Sequence, residues 1–104
     1  MSDISVSVFA TFRPKVGLEG ALLDALQPML EATRDESGNE TYDLYASVED
    51  DYRSYHLFER YSSVEALEEH RSAAYYADYR AKLSAILAEP VDVIVLSEVD
   101  VAAR

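Results

Sequence analysis

Residues 40–61, ETYDLYASVEDDYRSYHLFERY, hold two stretches of alternating character around one acidic turn. In the first stretch Tyr42, Leu44, Ala46 and Val48 share one face, and Thr41, Asp43, Tyr45 and Ser47 share the other. A period of two marks a strand with one buried side. Glu49-Asp50-Asp51 is short and polar, and residues 53–61 form the return strand, so the segment predicts a β-hairpin over 40–48 and 53–61.

One strand and one helical region lie on each side of this hairpin. Before it, Ile4, Val6, Val8, Ala10 and Phe12 alternate with Ser5, Ser7, Phe9 and Thr11, a strand that Arg13-Pro14 ends. Leu18, Leu22, Leu26 and Leu30 then recur every four residues, predicting a helix over 17–36 bent at Pro28, with Gly38 as its C-terminal stop. After the hairpin, Ser62 with Glu65 has capping-box spacing and opens a short helix to His70. A longer helix over 73–88 carries Tyr76, Tyr79, Leu83 and Ile86 along one face. Pro90 separates it from a last strand, Val91–Leu96, whose apolar residues on both faces predict burial on both sides.

The order β-α-β-β-α-β, with the second helix interrupted, predicts a ferredoxin-like α+β protomer with an antiparallel sheet covered by helices on one face. The chain of 104 residues is read as a single domain, 1–104. Two helices cannot hide both faces of a four-stranded sheet, so a homodimer packed sheet to sheet is expected.

Composition excludes several partners. With 20 Asp or Glu against 9 Lys or Arg the net charge is −11, which repels nucleic acid and anionic membrane surfaces. No Cys is present, so disulfides, thiolate metal sites and cysteine nucleophiles are excluded. Met1-Ser2-Asp3-Ile4 does not read as a signal peptide, and no run approaches the ~18 apolar residues of a membrane span. A cytoplasmic location is the default.

There is no Gly-rich phosphate loop, no dinucleotide fingerprint and no nucleophile elbow. The two histidines, His56 and His70, sit on different elements without zinc-motif spacing, so neither a metal nor another cofactor is expected. Eight Tyr with no Trp is the unusual feature. An apolar ring with a hydroxyl suits a pocket for a planar aromatic with polar edges. Tyr42, Tyr45 and Tyr55 read as core or interface residues; Tyr75 and Tyr79, just after His70, read equally as pocket-lining or as core. Glu59, mid-strand beside Leu57 and Tyr61, is either a base whose pKa burial raises or a structural hydrogen-bonding group. His70 either takes a proton from a phenolic hydroxyl or fixes the bend between helices. Arg71 and Arg80 read as part of a solvated face, and His56 as surface or packing.

Three stretches in order carry a family likeness: Phe12-Arg13-Pro14-Lys15-Val16-Gly17-Leu18-Glu19; Thr33-Arg34-Asp35-Glu36-Ser37-Gly38-Asn39 leading into Tyr42-Asp43-Leu44; and Phe58-Glu59-Arg60-Tyr61 followed by Ala66-Leu67-Glu68-Glu69-His70-Arg71-Ser72, with Tyr79 and Pro90-Val91 beyond. Over almost its whole length the chain resembles the antibiotic biosynthesis monooxygenase-like (ABM) family, near its quinol monooxygenase branch. The resemblance implies a dimeric α+β barrel with an apolar pocket between sheet and helices in each protomer. It also implies oxidation of a small phenolic, hydroquinone or polyketide-like aromatic substrate by O2 without metal or flavin. Glu59 and His70 match the family pattern; Tyr61 stands where many members have Trp, and Tyr75 where many quinol-type members have a second His. His70 is therefore the expected catalytic base, Tyr75 or Tyr79 its hydrogen-bond partner, and Tyr61, Tyr75, Tyr79 and Glu59 the substrate-binding set. The haem-degrading branch uses Asn, Trp and His where this chain has Ala10, Tyr61 and no His in the last helix, so haem degradation is disfavoured. Two other functions fit the same barrel: a non-catalytic dimer that binds a small hydrophobic ligand, and an isomerase or cyclase.

Overall fold

The structure, a computed structural model, describes residues 4–102; Met1–Asp3, read above for a leader, lie outside the described residues, as do the last two. Its elements follow the predicted order: β1 (Val6–Phe12), α1 (Glu19–Arg34), β2 (Asn39–Glu49), β3 (Tyr52–Tyr61), α2 (Val64–Ser72), α3 (Ala74–Ile86) and β4 (Asp92–Leu96). The sheet is antiparallel throughout, in the order β2-β3-β1-β4. The hairpin closes through Asp50 and Asp51, both with positive φ (51° and 65°), in a two-residue loop between the paired Glu49 and Tyr52. Two left-handed residues match the twist of the flanking strands, and Asp tolerates that region better than most side chains.

Register decides what faces the helices. Tyr42, Glu59, Val8 and Val95 form one row across the four strands; Leu44, Leu57, Ala10 and Val93 form the next. These rows carry the core, where Phe12, Tyr42, Tyr55 and Leu57 meet Leu22, Leu26 and Met29 of α1 and Tyr79 and Leu83 of α3. A smaller cluster of Val6, Val8 and Tyr61 packs on Leu67 of α2. Past β1 the chain stays close to the end of α3. Pro14 bridges Leu87, Ala88 N–H donates to the Arg13 carbonyl at 2.8 Å, and Lys15 N–H donates to the Ile86 carbonyl at 2.9 Å.

α1 runs through Pro28 as expected, with that residue on the exposed side, where water can satisfy the freed carbonyl. Several other local expectations are corrected. The helix ends at Arg34, before Gly38. Gly38 serves a close approach instead: a Cβ there would fall on Ala66 of α2. Ser63, not Ser62, caps α2, its hydroxyl accepting Ala66 N–H at 3.1 Å. His56 is not without partners. It stacks on Phe9 at 5.5 Å and bonds Thr11 and Ser47 through its two ring nitrogens. β4 departs most from the sequence: every position is exposed, with Ile94 at 50% and Val95 at 52%. It is an edge strand, and the helices stop short of it. The far sheet face is uncovered in part, with Tyr45, Ile94 and Leu96 exposed and Ser7 and Thr11 buried.

Gly38 sets how closely α2, and hence His70, approaches the β2 entry. Gly38→Ala is expected to destabilise the fold by about 1–3 kcal/mol in urea unfolding. In an Ala66→Gly background, which opens the space, the same change is expected to lower stability by less than about 0.5 kcal/mol.

Candidate active site

His70 occupies the last turn of α2 and is 2% exposed. The break that follows it is one residue long. Ala73 adopts an extended backbone (φ −68°, ψ 143°) and serves as C-cap of α2 and N-cap of α3. This break turns the chain so that the first turn of α3 faces back on His70. The Tyr76 ring stands edge-on to the imidazole at 5.1 Å, Tyr61 of β3 lies at 5.3 Å and Tyr42 of β2 at 5.8 Å. Three tyrosines from three elements thus enclose the ring.

Its polar partner is Glu36, two residues beyond α1. His70 Nδ1 lies 3.0 Å from Glu36 Oε2 and 3.2 Å from Oε1. The Tyr75 hydroxyl donates to the same Oε2. Burial pushes the His70 pKa below its ordinary value, and the Glu36 hydrogen bond opposes that fall. The neutral imidazole therefore donates Nδ1–H to Glu36, leaving Nε2 as the basic nitrogen.

Glu59 is the second buried ionisable group, 7% exposed, and sits in the sheet row between Tyr42 and Val8. The Tyr61 hydroxyl donates to Glu59 Oε1 at 2.7 Å. Burial raises the Glu59 pKa to about 7, against the opposing pull of the Tyr61 hydrogen bond and the Arg71 charge. Burial also raises the pKa values of Tyr42, Tyr61 and Tyr79, so these phenols stay protonated.

Glu59, His70, Tyr42, Tyr76 and Tyr79 line one cavity with Val8, Ala10, Arg71, Arg80, Val91 and Val93. Its enclosed part is about 20 Å³, roughly the space of one water. Arg71, Tyr76, Arg80, Val91 and Val93 also border an open space of about 700 Å³, so the cavity has a mouth between α2, α3 and β4.

Of the residues singled out from sequence, the structure brings His70, Glu59 and Tyr79 to the cavity wall. Tyr61 and Tyr75 stand behind it, one bonded to Glu59 and the other to Glu36. His70 bonds neither Tyr75 nor Tyr79; Glu36 takes that place, joining Tyr75 to the histidine. Sequence reasoning placed Glu36 only within a motif, because nothing local to it marks a residue that meets His70 across 34 positions. Tyr42 and Tyr76 were equally unmarked as cavity walls. Arg71 and Arg80 are exposed as expected, yet both border the mouth.

Residues 5–82 match the antibiotic biosynthesis monooxygenase family. The chain belongs to that family. A Mycobacterium tuberculosis protein named "Putative monooxygenase Rv0793" is 43% identical over 95 residues, covering 91% of this chain and 92% of that protein. The solved structure of Rv0793 superposes with a TM-score of 0.87 at 41% identity, covering 95% of this chain and 99% of its own. The Shewanella oneidensis protein SO0527 has the same fold, with a TM-score of 0.83, 25% identity and 92% of each chain covered. β4, which supplies Val93 to the cavity, lies beyond the matched stretch.

The raised Glu59 pKa has a thermodynamic consequence in this ABM chain. The folded state holds the Glu59 proton to about pH 7, the unfolded chain only to about 4.5. The stabilisation from that proton is complete below about pH 4.5 and is lost as pH rises through 7. Gln at this position does not titrate. Relative to Glu59→Gln, the natural protein is expected to lose about 2–3 kcal/mol of stability between pH 5 and pH 8. Paired urea melts at the two pH values measure it. A difference that stays constant would place Glu59 in water when folded.

Proposed function

We propose that this ABM chain is a cofactor-independent monooxygenase that oxidises a small phenolic, hydroquinone or polyketide-like aromatic with O2. The observation that carries the reading is the buried, neutral His70, held by Glu36 through Nδ1 and set beside Glu59 on the wall of a tyrosine-lined cavity. Family membership supports a monooxygenase-type reaction, and the site supplies what such a reaction needs.

His70 Nε2 takes the phenolic proton, and Glu36 stabilises the imidazolium that forms. The phenolate is the electron-rich species. It gives one electron to O2, and the substrate radical and superoxide combine at a ring carbon bearing hydrogen. The carbon–hydrogen bond and the oxygen–oxygen bond then break. One oxygen stays on carbon as a carbonyl; the other leaves as water with the former phenolic and ring protons. Glu59, half-protonated near pH 7, can supply or take a proton in that last step. The ring-walled cavity keeps water from the radical pair.

Oxygen uptake over hydroquinones, naphthols and anthrones, measured against autoxidation, tests this. His70→Ala is expected to lower kcat/KM by about 100-fold or more, the usual contribution of a positioned base. Binding without uptake favours a ligand-binding protein, and product formed without oxygen favours an isomerase or cyclase.

The same reading includes a homodimer. The partly uncovered far face and the exposed edge strand β4 support it, since a second copy would cover both. Light scattering is expected to give about twice the 11.6 kDa chain mass. Ile94→Glu is expected to shift it toward one chain. A monomer mass at all concentrations would remove the dimer.

A further inference from the structure

The mouth of the His70 cavity carries two arginines to which the proposed reaction gives no part. Arg71 follows His70 on α2, and Arg80 follows Tyr79 on α3. The break at Ala73 brings these separate helices around one opening, and both guanidinium-bearing residues border the enclosed cavity as well as the open space outside it. Three other arginines are engaged: Arg13 with Glu89, Arg60 with Glu40, and Arg34 with the Tyr42 carbonyl through two hydrogen bonds. Among the described residues neither Arg71 nor Arg80 has a carboxylate within ion-pair distance. In a chain where acids outnumber bases 20 to 9, two arginines that bridge to no acid concentrate positive charge at one cavity mouth, and the acid that Arg71 acts on is the buried Glu59 inside it.

The rest of the opening is Tyr76, Val91 and Val93, with Asp92 at the rim. Asp92, whose register partner is Thr11, adds one carboxylate to that rim. Tyr76 and the valines offer apolar contact to an aromatic ring, and guanidinium groups match the planar geometry of a carboxylate. The charge of −11 and the nearby Glu59 and Glu36 oppose a dianion more strongly than a monoanion. A carboxylate is the acidic group that best meets these conditions.

We propose that Arg71 and Arg80 form an anion-recognition site at the cavity mouth and that the ligand is an aromatic carboxylate, held by its acid there with its phenolic end toward His70. This rests on the reading of the cavity as a phenol-oxidising site, but its recognition half is measurable without turnover. The probes are 2-naphthol and 6-hydroxy-2-naphthoate, which differ only by a carboxylate at the far end of the ring system. Calorimetric titration without oxygen is expected to show the carboxylate binding about tenfold or more tightly, the usual contribution of charge-assisted hydrogen bonds. In Arg71→Gln/Arg80→Gln the ratio of the two affinities is expected to fall to about one. Both side chains are exposed, so the variant keeps its fold, as circular dichroism will check. Equal affinities in the natural protein, an advantage that survives in the double variant, or binding of neither probe would each overturn the proposal. Arginine-dependent binding without oxygen uptake would remove the monooxygenase reading and leave the anion site standing.

Discussion

The site depends on one carboxylate. Glu36 accepts His70 Nδ1–H and the Tyr75 hydroxyl, so a residue just beyond α1 joins the last turn of α2 to the first turn of α3. A buried imidazole without a partner would cost the desolvation of its N–H, about 1–3 kcal/mol, whereas a hydrogen bond to a charged acceptor contributes about 1.5–3 kcal/mol. The swing between those cases rivals a large share of the stability of a chain this size. The same contact selects the tautomer. With Nδ1–H committed to Glu36, the lone pair is on Nε2, and the packing of Tyr42, Tyr61 and Tyr76 holds the ring in place. Stability and proton chemistry therefore rest on one geometry.

One dry environment acts in opposite directions on the two ionisable groups it encloses. Burial disfavours charge, so it raises the Glu59 pKa and lowers that of His70. Near neutral pH the cavity wall then holds an uncharged imidazole and a carboxyl about half protonated. Burial thus brings the Glu59 carboxyl to about neutral pH and keeps the His70 imidazole uncharged there. Tyr61 serves this arrangement from behind the wall, its hydroxyl on Glu59 tempering a shift that burial alone would make larger.

The fold was legible because its signals are local and repeated. Alternation over 4–12 and over the hairpin, a four-residue leucine spacing and a broken tyrosine-bearing helix determine the order of elements, and periodicity needs no knowledge of tertiary contacts. Boundaries and caps were less legible, since Ser62 and Ser63 are chemically alike and only the chain's path selects the cap. His70, Glu59 and Tyr79 could be picked out as polar or amphipathic groups at positions where burial was expected. Glu36 could not, because its partners lie 34 and 39 residues away and the turn beyond α1 carries no pattern. β4 misled for a physical reason: an apolar run reads as a strand covered on both faces, whereas every position of this edge strand is exposed in the single chain.

That exposure bears on the cavity itself. Val91 and Val93 form its outer wall, and Val93 belongs to a strand held on one side only, by its pairing with β1. The opposite face of the strand shows Ile94 and Leu96 to solvent. Side chains alternate across a strand, so a surface that packs on Ile94 and Leu96 also presses or relaxes Val93 against the chamber. An enclosed volume near that of one water is too small for an aromatic ring, while the space outside the mouth is large enough. The boundary between the two spaces is therefore set by how β4 is held as well as by the residues around His70.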